Sequence, residues 1–336
     1  MNVRLQKWPI KPGTYRRIPL APHQMIERVT ATNDLFVLVH LGIPSIPDDE
    51  WRLEITGLVE RAFTLDIGDL KRLPKVEVES FHQCAGDPTN PKDPKRRVAN
   101  VVWGGVDLAG LLARAGVRDT ATHLWSYGSD HGSFAGDQHD FYLKDMPLDR
   151  LKRGDVMIAY EVNGEALPPE HGYPARLVIP GFYGTNSVKW LHRLELADRR
   201  AEGPFTTRFY NDEPDREGGA MRPVWAVPVE AVIVHPAPGA TVKTGQAVAI
   251  SGWAWADSGV KRVEISDDSG RSWREAQLHA RTGRSWQIFE YAWIPAARTG
   301  DSGAVSLLSR ATSNDGIVQP LEGARNCVHA VSVTCV

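Results

Sequence analysis

Cys84 is the residue of this sequence with the widest chemical reach. It lies in FHQCAGDP (81–88), directly after the alternating run KVEVESF (75–81). That places it just past a strand end, where binding loops are common. A deprotonated cysteine is a soft, strong ligand for a transition metal, and nearby positive charge favours the thiolate. Arg96 and Arg97 follow in the polar, turn-rich stretch GDPTNPKDPKRR (86–97). Taken alone, Cys84 leaves three readings open: metal ligand, catalytic nucleophile, or buried apolar side chain. His82 is too close in the chain to complete a zinc ligand set with it. The chain has three cysteines, and Cys327 and Cys335 stand far from Cys84. An odd count with wide spacing argues against a disulfide framework. The two late cysteines are expected as buried apolar residues. No CxxC or CxxCH occurs, so no iron–sulfur cluster or attached haem is expected in this chain, nor is a flavin.

The elements that must position this loop are short and varied. LFVLVHL (35–41) is an apolar strand. In WRLEITG (51–57), Trp51, Leu53 and Ile55 share one face. FTLDIGDLKRL (63–73) reads as a strand leading into a short helix. In VDLAGLLARAG (106–116), Leu108, Leu111, Leu112 and Ala115 recur at helical spacing and Gly116 is the expected C-cap. HLWSYGSDHGSF (123–134) enters a polar loop, and DVMIAYEVNG (155–164), ARLVIPG (175–181) and VKWLHRLEL (188–196) are further strands. Strands mixed with short helices predict an α+β fold with a mixed α/β domain, rather than regular βαβ repetition.

The chain is expected to divide into an N-terminal arm (1–30), the mixed domain (31–204), a linker (205–223) and a tail domain (224–336). The linker, FTTRFYNDEPDREGGAMRP, is polar and rich in glycine and proline. Beyond it strand-like runs recur between SG, DSG and TG turns, which predicts an all-β sandwich of immunoglobulin-like size. Eleven tryptophans are many for 336 residues, and sheet packing is their expected use. A net charge of −2 gives no broad positive field to attract nucleic acid or an acidic membrane. No run approaches the roughly 18 apolar residues of a membrane helix, and MNVRLQKWPIKPGTYRRIP holds no apolar targeting segment. The expected compartment is the cytoplasm, or the periplasm if an export signal has been removed.

At this point a resemblance becomes specific. FHQCAGDP resembles the C-x-G-N cysteine loop of the sulfite oxidase family of molybdenum enzymes. HGYPARLVIPGFYGTNSVKWLHRLEL (171–196) resembles that family's H-G-x-P-x-R, P-G and V-K-W-L signature. GWAW, VKRVEISDDSGRSW and SRATSNDGIVQP in the tail resemble its immunoglobulin-like dimerisation domain. The resemblance covers roughly residues 30–336.

It implies that residues 31–204 form a molybdopterin-binding catalytic domain holding a molybdenum–molybdopterin cofactor, with Cys84 as the metal ligand. His40, Asp130, His171, Arg176, Ser187 and Lys189 would contact the organic part, and the backbone of 184–188 could reach it. Arginine's planar fork and lysine's compact charge suit a phosphate. Tyr142 would be the active-site tyrosine, with Arg96 and Arg97 facing the substrate. The implied reaction is oxidation of sulfite to sulfate by oxo transfer, with electrons leaving to an external acceptor such as a cytochrome. A homodimer is also implied. Two departures bear on the substrate. Leu38 stands where the sulfite enzymes carry an arginine, and Asp87 replaces the usual asparagine. A sulfite dianion is expensive to desolvate without cations around it; Lys92, Lys95, Arg96 or Arg97 could fold back to compensate. A related molybdenum enzyme acting on an S-oxide or N-oxide, and a non-catalytic cofactor-binding or structural dimer, are the alternatives.

Overall fold

Alternating apolar residues build the first sheet. In the computed structural model, the structure describes residues 8–13, 15–86, 97–213, 219–296, 303–323 and 325–336. Five strands follow the order Tyr142–Pro147, His123–Gly128, Leu191–Ala197, Leu53–Gly57, Phe63–Leu65. Only Leu191–Ala197 and Leu53–Gly57 run parallel; the other pairs are antiparallel. Trp51, Leu53 and Ile55 are wholly buried, as the alternation predicts. The one polar atom of the Trp51 ring is satisfied there: Nε1 donates to the Leu191 carbonyl at 2.9 Å.

The helix after Val106 forms as expected, Leu108–Ala115. Asp107 accepts the Gly110 N–H at 2.6 Å, and Gly116 closes the helix at φ 66°. Leu108, Leu111, Leu112 and Ala115 are all buried.

A second sheet is built on Met157–Val162, antiparallel to Val98–Asp107, Glu165–Ala166 and Arg176–Val178. Gly105 faces Ala159 here, beside a register shift. A Cβ at Gly105 would lie 2.0 Å from the Ile158 carbonyl oxygen. Backbone cannot yield as a side-chain tip can. Gly105→Ala is therefore expected to destabilise the protein by about 3 kcal/mol or more, read as a lowered midpoint in denaturant titration.

The chain divides into two compact units, each drawn from separated segments. The first comprises 1–17, 36–78 and 102–225; the second comprises 18–35, 79–101 and 226–336. The sequence predicts contiguous blocks. Here 18–30 of the expected arm, and 31–35 and 79–101 of the expected mixed domain, group with the tail. The expected linker also carries structure: Pro204–Arg208 is a helical turn, and Asn211–Asp212 pairs with Arg222–Pro223. Its polar composition hid three aromatic residues. Phe205 is wholly buried, and Phe209 and Tyr210 pack against the first unit's core.

In the second unit eight strands follow the order Glu230–His235, Val248–Trp255, Gln287–Trp293, Arg274–Leu278, Val260–Ser266, Ala304–Ser313, Ala330–Cys335, Thr241–Val242. Arg274–Leu278 changes partners along its length. Residues 274–276 pair with Val260–Ser266, and residues 277–278 with Gln287–Trp293. A strand that switches sheets makes a corner between two β layers, in keeping with the predicted all-β architecture. Its tryptophans do more than pack. The indole N–H of Trp253 donates to the Met25 carbonyl (2.6 Å), that of Trp286 to the Arg28 carbonyl (2.9 Å), and that of Trp255 to Gln83 Oε1 (2.8 Å). They thereby hold the two inserted segments to the tail's strands. No helix among the described residues is long and apolar enough to cross a membrane.

Candidate cofactor site

Six expected residues come together in the first unit. Arg176 opens the strand Arg176–Val178, in register with Ala159. Its buried guanidinium lies 4.8 Å from the centroid of the Trp103 ring. Nη1 donates to the His171 carbonyl at 3.0 Å and Nη2 to the Ser187 carbonyl at 2.9 Å. Burial pulls its pKa down to about 9. Gly172 explains the glycine of the HGYP motif. It sits at φ +108°, and a Cβ there would press on the Cβ atoms of Lys189 (3.0 Å) and Arg176 (3.1 Å).

Lys189 donates to the carbonyls of Glu170 (2.9 Å) and Leu38 (3.1 Å). The next residue, Trp190, holds a left-handed backbone at φ 50°. Its indole N–H donates to the Pro169 carbonyl at 2.8 Å, which helps to hold that unfavourable conformation. Burial lowers the Lys189 ammonium, with Arg176 adding to the shift. Burial raises the Asp130 carboxyl, with Lys189 opposing. Ser187 is buried, and its Oγ accepts the Ile179 N–H at 3.1 Å.

The two histidines are held neutral. Burial, then the charge of Lys189, lowers His171 to about 3 and His40 to about 4. His171 Nε2 and His40 Nδ1 are buried with no hydrogen-bond partner among the described residues. Interior polar atoms are nearly always partnered, so these two point to a ligand. Two neutral imidazoles, two cations disfavoured by burial and a carboxyl make a set that fits an anionic, heteroatom-rich organic group. A phosphate there would relieve the cost of the buried charges.

The histidines also set a pH dependence. Their folded pKa values lie below the ordinary value of 6.5. Their contribution is complete above that value and is lost as pH falls from 6.5 toward 4. Asp130, raised by burial, acts in the opposite sense in the acid range. His192, which burial also lowers to about 4, acts with His40 and His171. Three histidines oppose one carboxyl, so the apoprotein's thermal midpoint is expected to climb between pH 4.5 and 6.5. His171→Gln is expected to flatten that climb, as scanning calorimetry at several pH values would record.

Tyr210 was missed by the sequence reading. Its hydroxyl is hydrogen-bonded to His40 Nε2, and its own backbone is left-handed at φ 60°. Lys144 lies beneath it, with Nζ 5.2 Å from the ring centroid, and burial lowers that ammonium to about 8. The available signal was the aromatic cluster in FTTRFYN (205–211), masked by a linker-like composition. Tyr142, the expected tyrosine, is hydrogen-bonded to Thr185, at 2.6 Å to Oγ1 and 3.1 Å to the carbonyl. Its ring packs 4.4 Å from that of Phe205.

Cys84 and Arg97 belong to the second unit. Cys84 is buried; its Sγ accepts the Gly86 N–H at 3.4 Å, and its own N–H donates to the Arg97 carbonyl at 2.9 Å. Arg97 Nη1 reaches the Gly86 carbonyl at 3.3 Å. Arg96, with Asp87, Lys92 and Lys95, lies outside the described residues. Cys327 is buried as expected, whereas Cys335, one residue from the chain end, is only half-buried. Among the described residues no group of three or more His, Cys, Asp or Glu could hold a metal ion.

Residues 40–205 match the family described as oxidoreductase molybdopterin binding domain, and residues 221–334 match the Mo-co oxidoreductase dimerisation domain. Sulfite oxidase of Arabidopsis thaliana is 30% identical over 321 residues, covering 85% of this chain and 81% of the plant protein. The chain belongs to the sulfite oxidase family. Mitochondrial sulfite oxidase of Rattus norvegicus, another member, is 30% identical over 89% of the chain. The chain spans only 59% of that relative's length. The sulfane dehydrogenase SoxCD of Paracoccus pantotrophus superposes with a TM-score of 0.81 at 28% identity, covering 99% of this chain and 87% of that one. A molybdopterin-binding domain followed by a β-rich dimerisation domain is thus the family architecture of this chain.

Proposed function

We propose that this chain holds a molybdenum–molybdopterin cofactor and oxidises sulfite to sulfate, passing the electrons to an external acceptor such as a cytochrome. The observation that carries the reading is the pair of imidazole nitrogens without a partner among the described residues, beside two buried cations, Arg176 and Lys189. When bound, the cofactor supplies a redox metal that exchanges an oxygen atom and two electrons with the substrate. The chain's residues bind and orient. Arg176 and Lys189 hold the phosphate, and His171 Nε2 and His40 Nδ1 hydrogen-bond the bound group. Asp130 pairs with its N–H edge, and Ser187 fixes the backbone against which it lies. Tyr210 fixes the tautomer of His40. Cys84 is the thiolate ligand, and Arg97, with Arg96, is the substrate-side cation. The carboxyl-terminal domain forms a homodimer. Relatives named for sulfite and sulfane oxidation support a reduced sulfur substrate.

Leu38 favours a second reading. An apolar side chain at this position suits a less anionic substrate, such as an S-oxide or N-oxide. Metal analysis of the purified protein, with sulfite-dependent reduction of an artificial acceptor, separates the readings. Molybdenum with sulfite turnover bears out the first. Molybdenum without it supports the second. A protein that takes up no molybdenum when matured with the cofactor refutes both.

A further inference from the structure

The strand carrying Leu38 has a cation opposite it. Tyr15–Arg17 pairs antiparallel with Val37–Val39, and Arg16 stands directly across from Leu38. Directly opposed residues project from the same face of a sheet, with Cβ atoms roughly 4.5–5.5 Å apart. Val37 and Val39 turn into the core. By the period of two, Leu38 projects from the other face, and Arg16 shares that face with it. His40 follows two residues after Leu38, and the charge of Arg16 is among those that hold its ring neutral. Arg17, one residue on, is engaged elsewhere in an ion pair with Glu170 at 2.8 Å. Arg16 is exposed, and its guanidinium makes no hydrogen bond or ion pair among the described residues. Lys189 reaches the same stretch, donating to the Leu38 carbonyl. A planar fork of five donors, without a partner among the described residues, therefore stands across the strand pair from Leu38, on a stretch that the His40 imidazole and the buried Lys189 ammonium adjoin.

We propose that Arg16 is a specificity-determining residue that binds the substrate oxyanion, supplying from the facing strand the positive charge that position 38 lacks. This rests on the reading of the chain as an oxidoreductase of a small sulfur oxyanion, and it turns that reading toward an anionic substrate. Leu38 then no longer marks a neutral one.

The test uses cofactor-loaded protein and two readouts, sulfate binding by calorimetry and steady-state sulfite oxidation. Arg16→Met is expected to weaken sulfate binding and raise KM for sulfite about tenfold, with kcat within about twofold, as befits loss of one charge-assisted contact at a partly solvated site. Molybdenum content should stay at the wild-type level. Moving the charge across the ladder, Leu38→Arg combined with Arg16→Leu, is expected to recover sulfate affinity to within about threefold. Sulfate affinity unchanged in Arg16→Met, no sulfate binding by the wild type, or no recovery in the exchanged pair would overturn the assignment. Failure of the functional reading looks different. Wild-type protein would then bind molybdenum yet oxidise no sulfite, and the calorimetry would still decide the role of Arg16.

Discussion

Replacing Cys84 with serine is expected to abolish acceptor reduction while leaving the protein folded. The Sγ atom accepts the Gly86 N–H at 3.4 Å, and a hydroxyl can accept the same donor. The site is buried and the change in volume is small, so little packing is lost. What disappears is the soft donor. A hydroxyl is a hard, weakly acidic ligand, and a redox metal held by sulfur discriminates against it. Groups that merely orient a metal ligand typically cost roughly 10–100-fold in affinity or activity when removed, and the ligand itself should cost more. Turnover and molybdenum content measured together decide among the three roles open to this residue. If Cys84→Ser retained full turnover, the thiol would be only a core residue. If it lost turnover but kept its metal in an unchanged coordination spectrum, the thiol would be a nucleophile.

The second large effect is expected at Arg176. Arg176→Met takes donors from two carbonyls, those of His171 and Ser187. Leaving each unmet costs about 1–3 kcal/mol. The same change removes a cation that burial disfavours, which offsets a comparable amount. The apoprotein's thermal midpoint is therefore expected to move by less than about 5 °C. Retention of the cofactor has no such compensation, because the phosphate loses its planar fork. Molybdenum content after gel filtration is expected to fall to about a tenth of wild type or lower, since a charge-assisted contact is worth about 1.5–3 kcal/mol. Arg176→Lys should recover part of it, because it restores charge without the fork. Full molybdenum content in Arg176→Met would remove Arg176 from the site.

Local rules made much of this fold legible. Asp107 and Gly116 bracket their helix because a carboxylate can accept an N–H of the first turn and glycine alone turns left without strain. Trp51, Leu53 and Ile55 fall on one buried face because side chains alternate along a strand. The signature at 171–196 brought His171, Arg176, Ser187 and Lys189 to attention in a single stretch. What stayed hidden was long-range. The meeting of Tyr210 with His40 spans 170 residues and no periodicity announces it. Tyr142 is named by the resemblance of its strand, and its hydrogen bond to Thr185, 43 residues on, is also a long-range contact. The cross-strand position of Arg16 is likewise invisible until the register is known. The grouping of 18–35 and 79–101 with the tail depends on indole donors more than 150 residues away.

That interleaving limits how the gene can be cut. A fragment ending at residue 225 would keep every segment of the first unit, but it would also carry 18–35 and 79–101 stripped of the strands they belong with. Gln83, fully enclosed, would lose Glu230 and Trp255 as amide partners, and Asn100 would lose the Trp286 N–H. Such orphaned polar groups and bared strand edges invite aggregation. The two halves recognised by homology are therefore not interchangeable cassettes, and swapping tails between relatives would require transplanting the two upstream inserts as well.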